Sequence, residues 1–228
     1  MWFEGAVANA VGIVAGGIVG LALKRFIPEN AGKASELGLG VCTLLLGIKM
    51  GLEAQNLVLL ILSVSVGGAV GTAWGVEKRL ERWAKSVQAR FLRSGGDRFS
   101  YAFVNSSILF CTGAMAIVGS IQAGAAGDNS VLYAKTTIDG LFAITFAAVY
   151  GAGVLLSAVP VLAYEGGLAA LSQQAAFLSE PSMLKELSGV GGVLLAFIGL
   201  SLSGIRKVPT GDYLPALPLA IVLKLLWP

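Results

Sequence analysis

The chain has no histidine. That removes the commonest metal ligand and the commonest general base near neutral pH. Charge is scarce as well. Asp, Glu, Lys and Arg make up 13% of the 228 residues, whereas soluble domains carry roughly 25%. Cys42 and Cys111 are the two cysteines, and both fall in apolar runs. This excludes a disulfide framework and predicts free, buried thiols. There is no Gly-x-Ser-x-Gly elbow, P-loop, Cys-x-x-Cys or His-based metal motif, so the residues point to no enzyme, no cofactor and no metal site. The opening Met1-Trp2-Phe3-Glu4 lacks a basic n-region and no cleavage motif follows it. The first apolar stretch is therefore expected to stay in the protein.

What the chain does have is apolar sequence. Hydrophobic residues reach 56% and the mean hydropathy is +0.80. Long uncharged runs recur, each near the ~20 residues that cross a bilayer as a helix. None alternates apolar with polar residues as a barrel strand does. The expected fold class is all-α: a polytopic helical membrane protein. Glycine is abundant, and Gly12, Gly16 and Gly20, Gly47 and Gly51, and Gly67, Gly71 and Gly75 recur at four-residue spacing. That spacing places a smooth stripe on one helix face and favours close helix packing.

Spans are predicted at about residues 3–23, 37–52, 57–76 and 101–122. Between the last two lies the only long hydrophilic segment, 77–98. Its apolar residues Leu80, Trp83, Val87 and Phe91 share one helical face, and Arg79, Arg82, Lys85 and Arg90 are among its basic residues. It reads as an amphipathic helix on the membrane surface, its partners anionic lipid headgroups rather than nucleic acid. After a loop at 123–130, residues 138–178 carry two charges, Asp139 at their start and Glu165. They form either one span plus a surface helix, giving seven crossings, or two short spans divided near residue 152, giving eight. In the second case 138–152 is a short, broken or re-entrant span. The last spans fall at about 187–203 and 214–226. Basic residues concentrate on the cytoplasmic side, which places 77–98 inside and the N-terminus outside.

An internal echo favours eight. Displaced by 150 residues, Gly16-Gly17 meets Gly166-Gly167, Leu21 meets Leu171, Glu36-Leu37 meets Glu186-Leu187, Leu44-Leu45 meets Leu194-Leu195 and Ile48 meets Ile198. The single transmembrane domain 1–228 is then built of repeat units 1–76 and 152–228, joined by the cytoplasmic segment 77–100 and helices in 101–151. Three spans, two, then three insert the second unit upside down, an inverted repeat.

Ionisable residues within spans are costly and mark candidate sites. Glu165 lies in Ala163-Tyr164-Glu165-Gly166-Gly167, where mid-membrane placement would let it take up a proton or cation. A helix-end carboxylate facing water is the plain alternative. Lys135, Thr136, Thr137 and Asp139 open the 138–152 span. There a helix N-terminus would hold an anionic group, or merely be capped by a threonine with Lys135 reaching the interface. Asn9, Lys49 and Gln122 are further polar residues in or beside spans.

Several stretches resemble the YqgA/YdfK-like family of bacterial inner-membrane proteins. They are Asn9-Ala10 before Gly16-Gly17, Leu46-Gly47-Ile48-Lys49-Met50, the basic segment Glu77 to Arg82, Phe110 to Gln122, Lys135 to Gly140, and Val159-Pro160-Val161-Leu162 with Tyr164 and Gly166. The resemblance covers nearly the whole chain. It implies a prokaryotic plasma-membrane location and carries no activity, the family being one of unknown function. Its pattern often has glutamine where this chain has Glu165, so it implies a polar contact there and not an obligatory carboxylate. From the residues, the expected function is a secondary transporter or ion-coupled carrier of a small solute or ion. Its inverted units would rock about a site made by Glu165, Asp139, Lys135, Thr136, Gln122, Asn9 and Lys49. An ion channel and a non-transporting scaffold are the rivals, and homo-oligomerisation is left open.

Overall fold

The first apolar run forms α1 (Glu4–Lys24) in the computed structural model, which describes residues 3–25, 29–91, 96–111 and 114–226. It is followed by α2 (Glu29–Gly51), α3 (Leu57–Trp74), α4 (Val76–Phe91), α5 (Gly96–Cys111), α6 (Ala114–Ala126), α7 (Ser130–Tyr150), α8 (Gly153–Leu156), α9 (Ala158–Ala170), α10 (Pro181–Leu202) and α11 (Ala216–Leu226). Short 3₁₀ turns lie at Ala176–Ser179 and Thr210–Tyr213. Among the described residues there is no strand. The all-helical expectation holds.

Helix ends follow local chemistry more than hydropathy. Asn56 caps α3, its side-chain oxygen accepting from the N–H groups of Val58 and Leu59 at 3.0 and 3.1 Å. Gly75 closes α3 in the left-handed conformation, φ 62°, which only glycine adopts without cost. Pro181 opens α10, where its missing N–H is no loss. Pro160 explains the division of α8 from α9: it cannot donate to the carbonyl one turn back, so the helical hydrogen-bond ladder is interrupted near Ser157.

Among the described residues, five helical segments are long and apolar enough to cross a membrane: α1, α3, α7, Gly153–Ala170 and α10. Joined as one span, α5 and α6 make a sixth; they are bent by 61° at the intervening break. The apolar part of α2, Leu37–Gly51, and the 11-residue α11 are shorter. This corrects the expected location of the broken span. The stretch 138–152 belongs to α7, an unbroken helix of 21 residues about 31 Å long at 1.5 Å per residue. Lys135 and Thr136 count as polar in a hydropathy reading, yet neither stops a helix. The junction of α5 and α6, within the expected span 101–122, lies outside the described residues.

The described chain forms two compact units. The first comprises Met1–Pro28 and Glu81–Ser179; the second comprises Glu29–Leu80 and Glu180–Pro228. In the first, α1 and α7 run parallel. A methyl group added at Gly12 would strike Thr136, at Gly16 the Gly140 carbonyl and at Gly20 the Ile144 carbonyl. The numbers rise together, and bare backbone meets backbone. Toward α8 and α9, in contrast, α1 runs antiparallel: Gly17 abuts Leu155 while Asn9 meets Glu165. Gly153 packs α8 against Phe99 and Ala102 of α5. Trp83 of α4 lies 5.3 Å from Phe103 of α5, ring centre to ring centre.

In the second unit α2 and α10 are antiparallel, Gly40 facing Ser203, Gly47 facing Ala196 and Gly51 facing Gly192. Likewise α3 and α11 run antiparallel, Gly67 meeting Ala216 and Gly71 the carbonyl of Asp212. The Glu77 N–H donates to Asp212 Oδ1 at 2.8 Å, and the Gly211 N–H donates to Glu77 Oε2 at 2.6 Å. This reciprocal pair ties the start of α4 to the turn before α11.

Candidate functional site

A polar cluster sits inside the first unit. Asn9 (α1) and Glu165 (α9) are 0% exposed, Lys135 and Asp139 (both α7) 4% and 5%. Each helix contributes for a plain geometric reason. Lys135 and Asp139 are four residues apart, on one face of α7. The glycines of α1 bring its backbone against α7, so that the short Asn9 side chain reaches both neighbours. Antiparallel α9 presents Glu165 at the same level.

The contacts are shared. Asn9 Nδ2 donates to Glu165 Oε1 at 2.8 Å and to Asp139 Oδ2 at 3.0 Å. Lys135 Nζ donates to Asp139 Oδ2 and lies 3.3 Å from Glu165 Oε1. One ammonium and one amide thus bridge the same two carboxylate oxygens. Two buried acceptors in the cluster have no hydrogen-bond partner: Glu165 Oε2 and Asn9 Oδ1.

By position in their helices, Asn9 and Lys135 are each about 8 Å from the start of α1 and α7, and Glu165 about 8 Å from the end of α9. The cluster runs from the second turn of α7 at Lys135, on the side of one end of the bundle, to the middle of that helix at Asp139. Beyond Glu165, toward that end, a cavity of about 370 Å³ is lined by Gly124, Ala169, Ala170, Ser172, Gln173 and Gln174. In the loop at that end, Asp128 accepts the backbone N–H of Ser130 at 2.9 Å, which holds its carboxyl below the ordinary value.

The remaining sequence candidates lie elsewhere. Thr136 and Thr137 are mid-helix, their hydroxyls donating to the carbonyls of Leu132 and Tyr133. The N-terminus of α7 is at Ser130, a turn and a half earlier. Lys135 is engaged by carboxylates, so these residues do not build an anion cradle. Gln122 is exposed on α6, and Lys49 is exposed in the last turn of α2 in the second unit. Arg79, Arg82 and Trp83 are exposed on α4. The side chains of Lys85 and Arg90 lie outside the described residues. Cys42 and Cys111 are free, but Cys42 is exposed and Cys111 half-buried, which corrects the expectation of buried thiols. Among the described residues no group of His, Cys, Asp and Glu is arranged to hold a metal ion.

Two buried carboxylates, Glu186 and Asp212, escaped the sequence reading. Glu186 is 1% exposed, and its Oε1 accepts the Asn56 N–H at 3.0 Å. A hydropathy window starts the span at residue 187, whereas α10 begins at Pro181. Its pairing with Glu36 in the 150-residue echo was the available signal.

A family model described as "Protein of unknown function (DUF554)" matches residues 4–225. The chain belongs to this family. Every residue of the cluster falls within the match. Among its relatives is the "Uncharacterized protein YqgA" of Escherichia coli (strain K12), 31% identical over 227 residues, or 98% of this chain and 97% of that one. Another is the "Uncharacterized membrane protein YdfK" of Bacillus subtilis (strain 168), 27% identical over 219 residues, covering 93% and 92%. No solved structure matches. The apolar helices and the relative's description agree on a membrane protein.

Proposed function

We propose that this protein is a secondary transporter, an ion-coupled carrier of a small solute or ion, and that the Asn9–Lys135–Asp139–Glu165 cluster is its polar site. The observation that carries the reading is the complete burial of two carboxylates and a lysine among apolar helices. Such groups are expensive in a membrane and are kept where they bind or move charge.

The packing supports an inverted repeat. Under the 150-residue displacement α1 corresponds to α9, α2 to α10, and α3 to the 3₁₀ turn and α11. Within the two units each helix packs antiparallel on its counterpart, as oppositely inserted copies require. Parallel α1 and α7, with α9 opposed to both, fit separate crossings by α7 and by α8–α9. That favours eight spans over seven, with the N-terminus outside and 77–98 on the cytoplasmic face of the inner membrane. The break between α5 and α6 fits the discontinuous helices common in carriers. A closed cluster, not a polar path along a helix, favours a carrier over a channel.

Proteoliposomes containing the purified chain test this. Uptake of labelled ions and small solutes is measured under imposed proton and sodium gradients. Flux that disappears in Asp139→Asn and Glu165→Gln is expected. Absence of any flux from correctly folded protein would overturn the assignment.

A further inference from the structure

The cluster is one positive charge short. With every group ionised, Glu165 and Asp139 carry two negative charges and Lys135 one positive. No further lysine or arginine contacts the two carboxylates among the described residues. The deficit has a location. Glu165 Oε2 and Asn9 Oδ1 are both acceptors, both buried, and both without a hydrogen-bond partner. A buried acceptor left so costs free energy that a proton or a cation recovers.

A third oxygen stands at the same level. Gly124 of α6 packs on the Ala169 carbonyl of α9. The short loop between α6 and α7 makes these two helices antiparallel, so α6 runs parallel to α9. One turn back along each helix from the Gly124–Ala169 contact lie Ser120 and Glu165. Ser120 is 0% exposed and its hydroxyl also has no hydrogen-bond partner. One turn forward, about two turns beyond Glu165, lies the cavity lined by Ser172, Gln173 and Gln174.

We propose that this site binds a single monovalent cation, a proton or an alkali ion, held by Glu165 Oε2 with Asn9 Oδ1 and Ser120 Oγ and admitted from the Ser172–Gln174 cavity. An anionic ligand is disfavoured, because Lys135 is already shared between two carboxylates. Bound as a proton, the charge leaves hydronium in the cavity and forms an O–H bond at Glu165 Oε2, returning water. The ionisable groups around Glu165 are Lys135 and Asp139 on α7, Cys111 on α5, and Tyr164 on its own helix. Lys135 is the only cation among them. The inference rests on the carrier reading for its purpose, but not for its test.

The test is binding to the purified full chain in detergent. Thermal unfolding is followed across a pH series in choline chloride, then with sodium, potassium or lithium replacing choline at fixed ionic strength. If the ligand is a proton, the native state takes up a proton that the unfolded chain does not. The unfolding midpoint then rises as pH falls, and Glu165→Gln flattens the response. If it is an alkali ion, the midpoint rises saturably with that ion and affinity drops at least about tenfold in Glu165→Gln. Wild type and Glu165→Gln responding alike to acid and to all three alkali ions would overturn the proposal. So would specific stabilisation by sulfate or phosphate. Should Glu165→Gln fail to fold, Ser120→Ala decides: it keeps every charge, and unchanged proton or cation affinity refutes the site. Binding without flux counts against the carrier alone; flux indifferent to protons and alkali ions counts against this inference alone.

Discussion

The Asn9 amide donates to Glu165 Oε1 at 2.8 Å, joining residues that lie 156 positions apart in the chain. A second cation here would neutralise the cluster; a neutral amide does not. It satisfies one oxygen of each carboxylate and leaves the charge of the cluster unbalanced. Replacing Asn9 by leucine should remove donors from two buried carboxylates at once. A loss of about 2–4 kcal/mol is expected, read as a lower unfolding midpoint. Aspartate at the same position would add a third carboxylate, and it should lower the yield of folded protein further.

Among the described residues Lys135 is the sole counter-charge of the two carboxylates. Lys135→Met should cost about 3–5 kcal/mol, because it strands two buried carboxylates. Combining it with Glu165→Gln should be milder than Lys135→Met alone, since only Asp139 then stays unpaired. A double-mutant cycle on unfolding midpoints measures this coupling. Strict additivity would show that the lysine and the glutamate do not interact.

The α1–α7 contact depends on absent side chains. A leucine at Gly20 would drive its β-carbon into the Ile144 carbonyl and the Ala147 methyl. Backbone cannot yield as a flexible side chain does, so the cost should exceed the ~1–3 kcal/mol typical of overpacking. Gly38→Ala, at a position with open space, serves as the control. Folded yield on size-exclusion chromatography should fall for the first and hold for the second.

The reciprocal bonds between Glu77 and the 210–213 turn invite a direct test. Asp212→Ala removes the acceptor for the Glu77 N–H. A loss of about 1–2 kcal/mol is expected, in the range of lost helix caps. Ligand binding in the other unit should be unaffected. Thermal unfolding and cation titration of the same variant separate the two effects.

Topology separates eight spans from seven. Gln174 and Ile205 are exposed positions on either side of α10. Cysteines there, in a background lacking Cys42 and Cys111, should react with a membrane-impermeant reagent from opposite faces. With eight spans Gln174→Cys labels from outside and Ile205→Cys from inside. The reverse pattern would restore the seven-span arrangement.

Composition and hydropathy by themselves determined the membrane class, the all-helical fold, the approximate positions of most spans and the amphipathic α4. These follow from local physics: an apolar run must satisfy its own backbone hydrogen bonds in lipid, and a helix does so within the segment. Glu165, Asp139, Lys135 and Asn9 were legible as individuals for the same reason, being polar groups in apolar surroundings. Their meeting was not. Asn9 is far from Asp139 and Glu165 in sequence, and only the glycine-lined approach of α1 to α7 and the antiparallel course of α9 bring the three together. Tertiary packing also left Gln122 and Lys49 exposed, since a residue's type does not reveal which helix face is covered. It made 138–150 part of the unbroken α7 and brought Glu186 inside α10, which opens at Pro181 and not where hydropathy rises.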